Sequence, residues 1–388
     1  MKRLFWALAA ALLMFAPAAL AQTAQEITDT CTLSAVGKKT LGRMTDGQYQ
    51  TYWASSSGSY AYVEIEAEEA VGGLYVQFYE DIAALEVQTT DDAGAWRTVA
   101  VSGGSFLNEY IALDAGTETV RIRPKDGKGR LFIAELHVFG EGDAPDWVQQ
   151  WEAPLDKADL LALAAHPDDE LLFLGGTIPY YAGEMGRKVQ VAYLVPTMPY
   201  RRLELLDGLW LCGVKNYPMI GHFPDKYQLT LKGMYAQKGW SRESVYRFVA
   251  EIYRACRPDV VVTQDVNGEY GHGAHRAVAD AAQAAIALAA DENDQEKMTH
   301  SEPWQVKKLY IHLYEQNPVK MDWRKPLAAF GGQTAFDLAS RAFECHISQQ
   351  RTDYHVEDFG PYDNSKFGLA YSAVGEDVQK DDFFENLE

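Results

Sequence analysis

Hydrophobic and polar residues alternate over short segments in the first third of the chain, and turn-forming sequences such as Gly72-Gly73 separate these segments. Alternation with a period of two is typical of strands that are buried on one face. No long helical pattern interrupts them. The pattern predicts an antiparallel β-sandwich (jelly-roll) domain over residues 32–141, with strands at 60–66, 74–78, 85–88 and 120–123.

The pattern changes after a linker predicted at 142–158. Residues 160–165 form a continuous apolar run, which is typical of a strand buried on both faces. Strands and helices then alternate, and this order predicts an α/β domain over 159–388 with a doubly wound, Rossmann-like parallel sheet. The predicted strands are 160–165, 189–195, 260–263 and 308–313, and the predicted helices are 241–256 and 274–290.

The first 21 residues have the pattern of a secretory signal peptide. Two basic residues precede an apolar run at 4–16 and an A-x-A sequence at 19–21. The alternative is a transmembrane anchor, but the run is shorter than the roughly 20 apolar residues that a span needs. We therefore expect cleavage before Gln22, no membrane anchor afterwards, and a secreted, periplasmic or cell-surface protein.

Composition narrows the functional classes. The chain has 35 Lys and Arg against 55 Asp and Glu, a formal charge of −20, which argues against binding to nucleic acid or anionic lipid. The 47% hydrophobic content excludes general disorder. The four cysteines show no C-x-x-C pair, so they are either one or two disulfides or free thiols; they are Cys31, Cys212, Cys256 and Cys345.

Two polar clusters follow predicted strands. His166-Pro-Asp-Asp-Glu170 comes directly after the strand at 160–165, and a segment with His272 and His275 follows the strand at 260–263. In such sheets ligands bind at the carboxyl ends of the strands. Helix capping explains one Asp of the first cluster but not the whole of it, and capping or solvated histidines are the alternative for the second. Two His and one carboxylate predict a catalytic zinc site, with Fe²⁺ or Co²⁺ also suited to it.

With the later His-x-x-His, the first motif resembles the PIG-L/LmbE-like zinc N-deacetylases, the N-acetylglucosaminyl-phosphatidylinositol de-N-acetylase superfamily. The resemblance runs from about residue 159 to the C-terminus. It implies that His166, Asp169 and His275 bind the metal and that Asp168 is the general base. It also implies that His272, which we expect to be protonated, stabilises the oxyanion or donates a proton.

The same resemblance implies that an arginine contacts the substrate, and Arg201 or Arg202 would be this residue. The chain departs from the family between the two histidines, where Gly and Ala replace the common Pro and Asp. Asp265 or Glu269 would then have to tune His272. Glu269 is also a candidate substrate-binding residue.

The predicted sandwich resembles a discoidin or coagulation-factor type C module, a galactose-binding-like fold. Such modules bind sugars through loops at one end, so Tyr52, Trp53 and Trp96 are candidate carbohydrate contacts. The alternative is that these aromatic side chains fill the core. The matching sequences are Thr45-Asp46-Gly47, Tyr52-Trp53, Asp92-x-Gly94-x-Trp96 and Glu135-Leu-x-Val-Phe-Gly140.

Together these features predict a secreted metal-dependent hydrolase that deacetylates an N-acetylated amino sugar of an extracellular glycan. One alternative is a zinc amidase of broader specificity. The other is a glycan-binding or adhesive protein with a vestigial catalytic domain.

Overall fold

The computed structural model describes residues 22–36, 40–80, 82–293, 298–300, 302–350 and 353–387. The predicted signal peptide, residues 1–21, lies outside the described residues. The described chain forms an N-terminal antiparallel sheet and a second, mixed sheet, each with seven strands. In the described part of the chain, no helix is both long and apolar enough to cross a membrane.

The N-terminal sheet has the strand order β2-β7-β3-β6-β4-β5, and β1 pairs with β3 off this path. All its pairs are antiparallel. Alternate side chains of the long strands are buried, as the period-two pattern predicts. The strands are β1 (Thr32–Ser34), β2 (Trp53–Ala54), β3 (Val63–Phe78), β4 (Leu85–Thr90), β5 (Trp96–Val101), β6 (Asn108–Pro124) and β7 (Phe132–Phe139).

The predicted turn at Gly72-Gly73 is wrong, because both glycines lie inside β3, which joins the two strands predicted at 60–66 and 74–78. The pairing of β3 with β6 shifts register on either side of Val71. A Cβ at Gly72 would lie 2.5 Å from the carbonyl oxygen of Gly140, and one at Gly73 would overlap the Tyr110 ring. Close packing in an irregular strand therefore explains the glycines.

The second sheet has the order β10-β9-β8-β11-β12-β14-β13. The five strands from β10 to β12 in this order are parallel, as predicted, whereas β14 pairs antiparallel with both neighbours and makes the sheet mixed. The strands are β8 (Leu160–Ala164), β9 (Val189–Tyr193), β10 (Met219–Ile220), β11 (Val260–Thr263), β12 (Lys308–His312), β13 (Pro318–Lys320) and β14 (Lys366–Ser372).

Helices cover both faces of this sheet. Leu160 and Ala162 of β8 pack with side chains of α2 and α6, whereas Leu161 and Leu163 pack with α4 and α5. Burial on both faces is the reason that β8 reads as a continuous apolar run. The helices are α1 (Asp169–Leu172), α2 (Pro199–Leu211), α3 (Leu231–Tyr235), α4 (Arg242–Cys256), α5 (Gly273–Ala290) and α6 (Ala335–Glu344).

Local signals account for the helix ends. Ser241 caps α4 and forms a capping box with Ser244, so the predicted start of this helix is confirmed.

The four cysteines carry free thiols. This agrees with the second of the two alternatives for them.

Asp207 of α2 connects the two sheets. Its Oδ2 accepts a hydrogen bond from the Tyr49 hydroxyl at 2.8 Å, and its Oδ1 accepts one from Nε2 of Gln149 at 2.6 Å. The Tyr49 hydroxyl in turn accepts a bond from Nε2 of Gln77 in β3 at 3.0 Å. Burial raises the pKa of Asp207 to about 7. This acid thus fixes the loop around Tyr49 against the α/β domain.

We expect Asp207→Ala to destabilise the protein by roughly 2 kcal/mol, because the Tyr49 hydroxyl and the Gln149 amide lose their acceptor. Chemical denaturation monitored by tryptophan fluorescence measures this change. Asp156→Ala is the control, since the Asp156 side chain is 93% exposed. A loss no larger than that of the control would show that Asp207 does not hold the two sheets together.

Candidate active site

The first polar cluster lies in the turn between β8 and α1. Asp168 has a φ of +106°, a backbone conformation that residues other than glycine rarely adopt and that costs about 1–3 kcal/mol. Two contacts hold it: its N–H donates to Glu170 Oε2 at 3.0 Å, and its Oδ2 accepts from Arg201 Nη2 at 2.8 Å. The strained turn places the Asp168 carboxylate in the cavity described below.

The second cluster lies between β11 and α5. Because β11 is the parallel neighbour of β8, the two loops meet at the same edge of the sheet. His272 is the N-cap of α5, and its Nδ1 accepts the Ala274 N–H at 3.3 Å. His275 lies in the first turn of α5 and is fully buried. The predicted convergence of the two clusters is thus observed.

Three of these side chains meet at one carboxylate oxygen. Asp169 Oδ2 lies 3.1 Å from His166 Nδ1 and 3.3 Å from His275 Nε2. A tetrahedral zinc site with bonds of ~2.05 Å has its donor atoms about 3.3 Å apart. The distances from Asp169 Oδ2 to the two imidazole nitrogens therefore fit such an ion.

His275 is oriented as a metal ligand. Its Nδ1 lies 2.9 Å from Glu269 Oε2, whereas its buried Nε2 has no hydrogen-bond partner among the described residues. A carboxylate on one ring nitrogen that leaves the other nitrogen to the metal is the usual arrangement of histidine ligands. Burial alone lowers the pKa of His275, but Asp169 and Glu269 together raise it to about 10. A metal ion at Nε2 would take the place of that proton.

His272 also lies close enough to be a ligand, since ring nitrogens of His166, His272 and His275 lie within 4.8 Å of one another. Its Nδ1, however, accepts the Ala274 N–H. The neutral ring then carries its proton on Nε2, which can donate a hydrogen bond but cannot bind a metal in that form.

The expectation that His272 is protonated is wrong for this structure. Burial, followed by the nearby charges of His275 and His166, lowers the pKa of His272 to about 3. Of the two carboxylates expected to tune it, Glu269 faces His275 and His312 instead, and Asp265 Oδ1 accepts the Asn267 N–H.

Asp168 has the electrostatic setting of a base. Burial raises its pKa to about 8, in spite of the opposing charge of Arg201. Arg201 Nη2 donates to Asp168 and also to the Pro167 carbonyl oxygen at 2.7 Å. The structure therefore places Arg201 in the cavity wall as a partner of Asp168.

Two predicted substrate contacts lie elsewhere. Glu269 is fully buried between Nδ1 of His275 and Nδ1 of His312, the latter at 2.7 Å, so it orients histidines instead of meeting a substrate. Arg202 does not belong to the described cavity wall, and its charge acts on the Tyr79 and Tyr217 phenols. The expectation for Glu269 failed because spacing along the chain does not fix the direction of a side chain, and of the two arginine alternatives it is Arg201 that lines the cavity.

The cavity has a volume of about 180 Å³ and includes residues that the sequence patterns did not reveal. Asp225, in the loop after β10, has Oδ1 3.8 Å from His166 Nε2. His312 contacts Glu269 outside the described wall, and it ends β12, so the rule about strand ends could have found it. β10 has only two residues, too few for a pattern that would point to Asp225. The cavity wall consists of His166, Asp168, Asp169, Leu172, Phe173, Arg201, Asp225, Tyr270, His272, Phe343, Gln349 and Tyr354.

The predicted carbohydrate contacts lie in the N-terminal domain and do not belong to the described wall of this cavity. Trp53 is 1% exposed and belongs to the core, so its prediction as a sugar contact is wrong. Tyr52 stacks on Tyr79 with ring centroids 4.2 Å apart, and Trp96 packs against the Arg121 guanidinium at 3.8 Å. Tyr52 and Trp96 are partly exposed and stay candidates.

Residues 161–286 match the model of the PIG-L family, which is described as GlcNAc-PI de-N-acetylase. The chain is 29% identical over 239 residues to a 1D-myo-inositol 2-acetamido-2-deoxy-alpha-D-glucopyranoside deacetylase of Kineococcus radiotolerans, covering 50% of this chain and 65% of that protein. A protein of the same name from Rhodococcus jostii is 32% identical over 187 residues, covering 42% and 63%. The chain thus spans less than two thirds of the length of these relatives. The region that holds both site loops is therefore similar to the PIG-L family.

Solved structures align with parts of the chain. A conserved protein of Thermus thermophilus is 24% identical, with a TM-score of 0.36 and coverage of 50% of this chain and 80% of that one. The N,N'-diacetylchitobiose deacetylase of Pyrococcus horikoshii is 21% identical, with a TM-score of 0.38 and coverage of 53% and 75%. An F5/8 type C domain from Bacteroides fragilis is 14% identical, with a TM-score of 0.24 and coverage of 31% and 96%.

We expect His275→Ala to abolish stoichiometric metal binding and His272→Ala to retain it, because His275 directs a ring nitrogen at Asp169 whereas His272 presents a bound proton. Elemental analysis of the dialysed proteins measures the metal content. His300→Ala is the control, since that side chain is 53% exposed. Loss of metal from His272→Ala but not from His275→Ala would contradict this assignment.

Proposed function

We propose that the protein is a secreted, metal-dependent N-deacetylase that removes the acetyl group from an N-acetylated amino sugar of an extracellular glycan. The observation that carries the proposal is the Asp169 carboxylate between His166 and His275, with Asp168 and His272 beside it. The predicted signal peptide supports secretion. Zinc suits the two imidazoles and one carboxylate best, and Fe²⁺ and Co²⁺ accept the same ligands.

The chemical difficulty is that water is a poor nucleophile and an amide carbonyl a poor electrophile. His166, Asp169 and His275 would hold a divalent cation, which would supply the Lewis acidity needed for attack of water on the carbonyl. Asp168 accepts the proton of the attacking water, because burial raises the pKa of its carboxylate and makes it a stronger base. Arg201 fixes the position of this carboxylate through its 2.8 Å hydrogen bond.

His272 is suited to the next step in its neutral form. Its Nε2–H donates a hydrogen bond to the carbonyl oxygen as negative charge develops there. Its Nδ1 stays bound to the Ala274 N–H, so the donor is oriented before the substrate arrives. Asp168 then returns its proton to the amine nitrogen as the carbon–nitrogen bond breaks, and acetate and the free amine are released.

Two features favour a sugar as the group that carries the amide. Tyr270 and Tyr354 pair in the cavity wall with ring centroids 4.9 Å apart, and Tyr227, 69% exposed, lies 5.5 Å from the His272 ring. Aromatic faces suit the C–H face of a pyranose. The names of the curated relatives describe an acetamido sugar as their substrate, which supports the same class here.

The test is release of free amine from N-acetylglucosamine, chitooligosaccharides, mucin and muropeptides, each with and without a chelator. We expect chelator-sensitive release from at least one of them. Asp168→Asn should retain the metal and lose about 10²- to 10⁴-fold in rate, because the amide cannot accept the proton. Asp156→Asn is the exposed control.

The other outcomes are also informative. Normal turnover by Asp168→Asn would exclude its role as the base. A metal-loaded protein that releases no amine from any of these glycans would favour an amidase of other specificity. A protein that binds no metal would favour a glycan-binding protein.

A further inference from the structure

A second cavity, of about 280 Å³, lies between the two domains. One wall is the loop 47–50 of the N-terminal domain. The other wall consists of Glu204 of α2 together with Ile347 and Ser348, which follow α6. The N-terminal domain therefore contributes directly to a cavity on the surface of the α/β domain.

This second cavity adjoins the catalytic cavity. Arg201 lines the catalytic cavity and Glu204 lines the second, and the two are about one helical turn apart on α2, a rise of roughly 4.5 Å. On the opposite element, Gln349 lines the first cavity and donates to the hydroxyl of Ser348, which lines the second, at 3.0 Å. Neighbouring residues on each of these two elements therefore line the two cavities.

Hydrogen bonds between Ser348 and Glu204 hold the wall of the second cavity in place. Ser348 donates its hydroxyl to Glu204 Oε2 at 2.6 Å and its N–H to Glu204 Oε1 at 2.9 Å. Such a network holds a shaped polar surface in place before any ligand arrives.

Loop 47–50 is equally well held. The Gln48 N–H donates to Glu135 Oε1 at 2.9 Å and to Asp46 Oδ1 at 3.0 Å, and the Tyr49 hydroxyl donates to Asp207. The side chains of Gln48 and Gln50 stay exposed. The loop backbone is therefore anchored, while two amide side chains stand at the cavity.

The chemistry of this cavity suits a neutral sugar. The amide groups of Gln48 and Gln50 match sugar hydroxyls, and Ile347, 62% exposed, offers an apolar surface to the C–H face of a ring. The described lining contains Glu204 but no Lys or Arg, which disfavours a phosphorylated or sulfated unit.

We infer that the catalytic cleft continues onto loop 47–50, so that the substrate is an oligosaccharide whose neighbouring sugar binds between Gln48, Gln50 and Ile347. This inference rests on the proposed function and deepens it. In this inference the N-terminal domain forms part of the substrate cleft, in addition to any separate carbohydrate site.

The test compares N-acetylglucosamine with tetraacetylchitotetraose. We expect wild-type kcat/KM to be higher on the tetramer, and the double variant Gln48→Ala/Gln50→Ala to lose roughly tenfold on the tetramer, because two hydrogen-bonding groups are removed. Its kcat/KM on the monomer should not change. Gln25→Ala, at another exposed glutamine of the N-terminal domain, is the control.

Calorimetry separates this inference from the proposed function. Tetramer binding to the inactive Asp168→Asn protein should weaken by the same factor in the double variant, even if the wild-type protein deacetylates neither compound. Equal wild-type binding of monomer and tetramer would overturn the inference. Loss of the tetramer preference in Trp96→Ala but not in the double variant would also overturn it.

Discussion

Oδ2 of Asp169 joins the two loops from which the site is built. It accepts the backbone N–H of His166 at 2.8 Å, lies 3.1 Å from Nδ1 of the same residue, and faces Nε2 of His275 on the other loop. Asp169 is 2% exposed, and a buried carboxylate is costly unless it is paired. Burial alone raises its pKa, but the charges of His275 and His166 hold it well below its usual range. Positive charge beside Oδ2, from a proton on His275 or from a bound cation, therefore stabilises this contact between the two loops.

From this contact the roles of the other histidines follow. Glu269 binds Nδ1 of His275 and leaves Nε2 for the metal, whereas the Ala274 N–H occupies Nδ1 of His272 and leaves a proton on Nε2. Two histidines three residues apart thus present opposite chemistry to the same cavity. In the proposed mechanism, His275 binds a cation, and His272 donates a hydrogen bond to a developing anion.

The sequence predicted the parts of this structure that depend on periodicity and on strand ends. Continuous apolar runs identified β8 and β11, and the polar residues after them identified both site loops. The direction of individual side chains could not be predicted from the sequence. Glu269 and Arg202 have suitable chemistry and position in the chain, yet burial directs Glu269 to His275 and His312, and Arg202 lies outside the described cavity wall. In the same way, Trp53 matches a sugar-contact motif but is required in the core.

The central proposal for the site is that His166, Asp169 and His275 bind the metal, whereas His272 contacts the substrate. Anomalous diffraction from crystals of the metal-loaded protein, recorded at the zinc, iron and cobalt absorption edges, tests it most directly. We expect one peak within about 2.0–2.3 Å of donor atoms of those three residues, with His272 Nε2 beyond bonding distance. A peak bonded to His272 Nε2, or no peak at any of these edges, would contradict it.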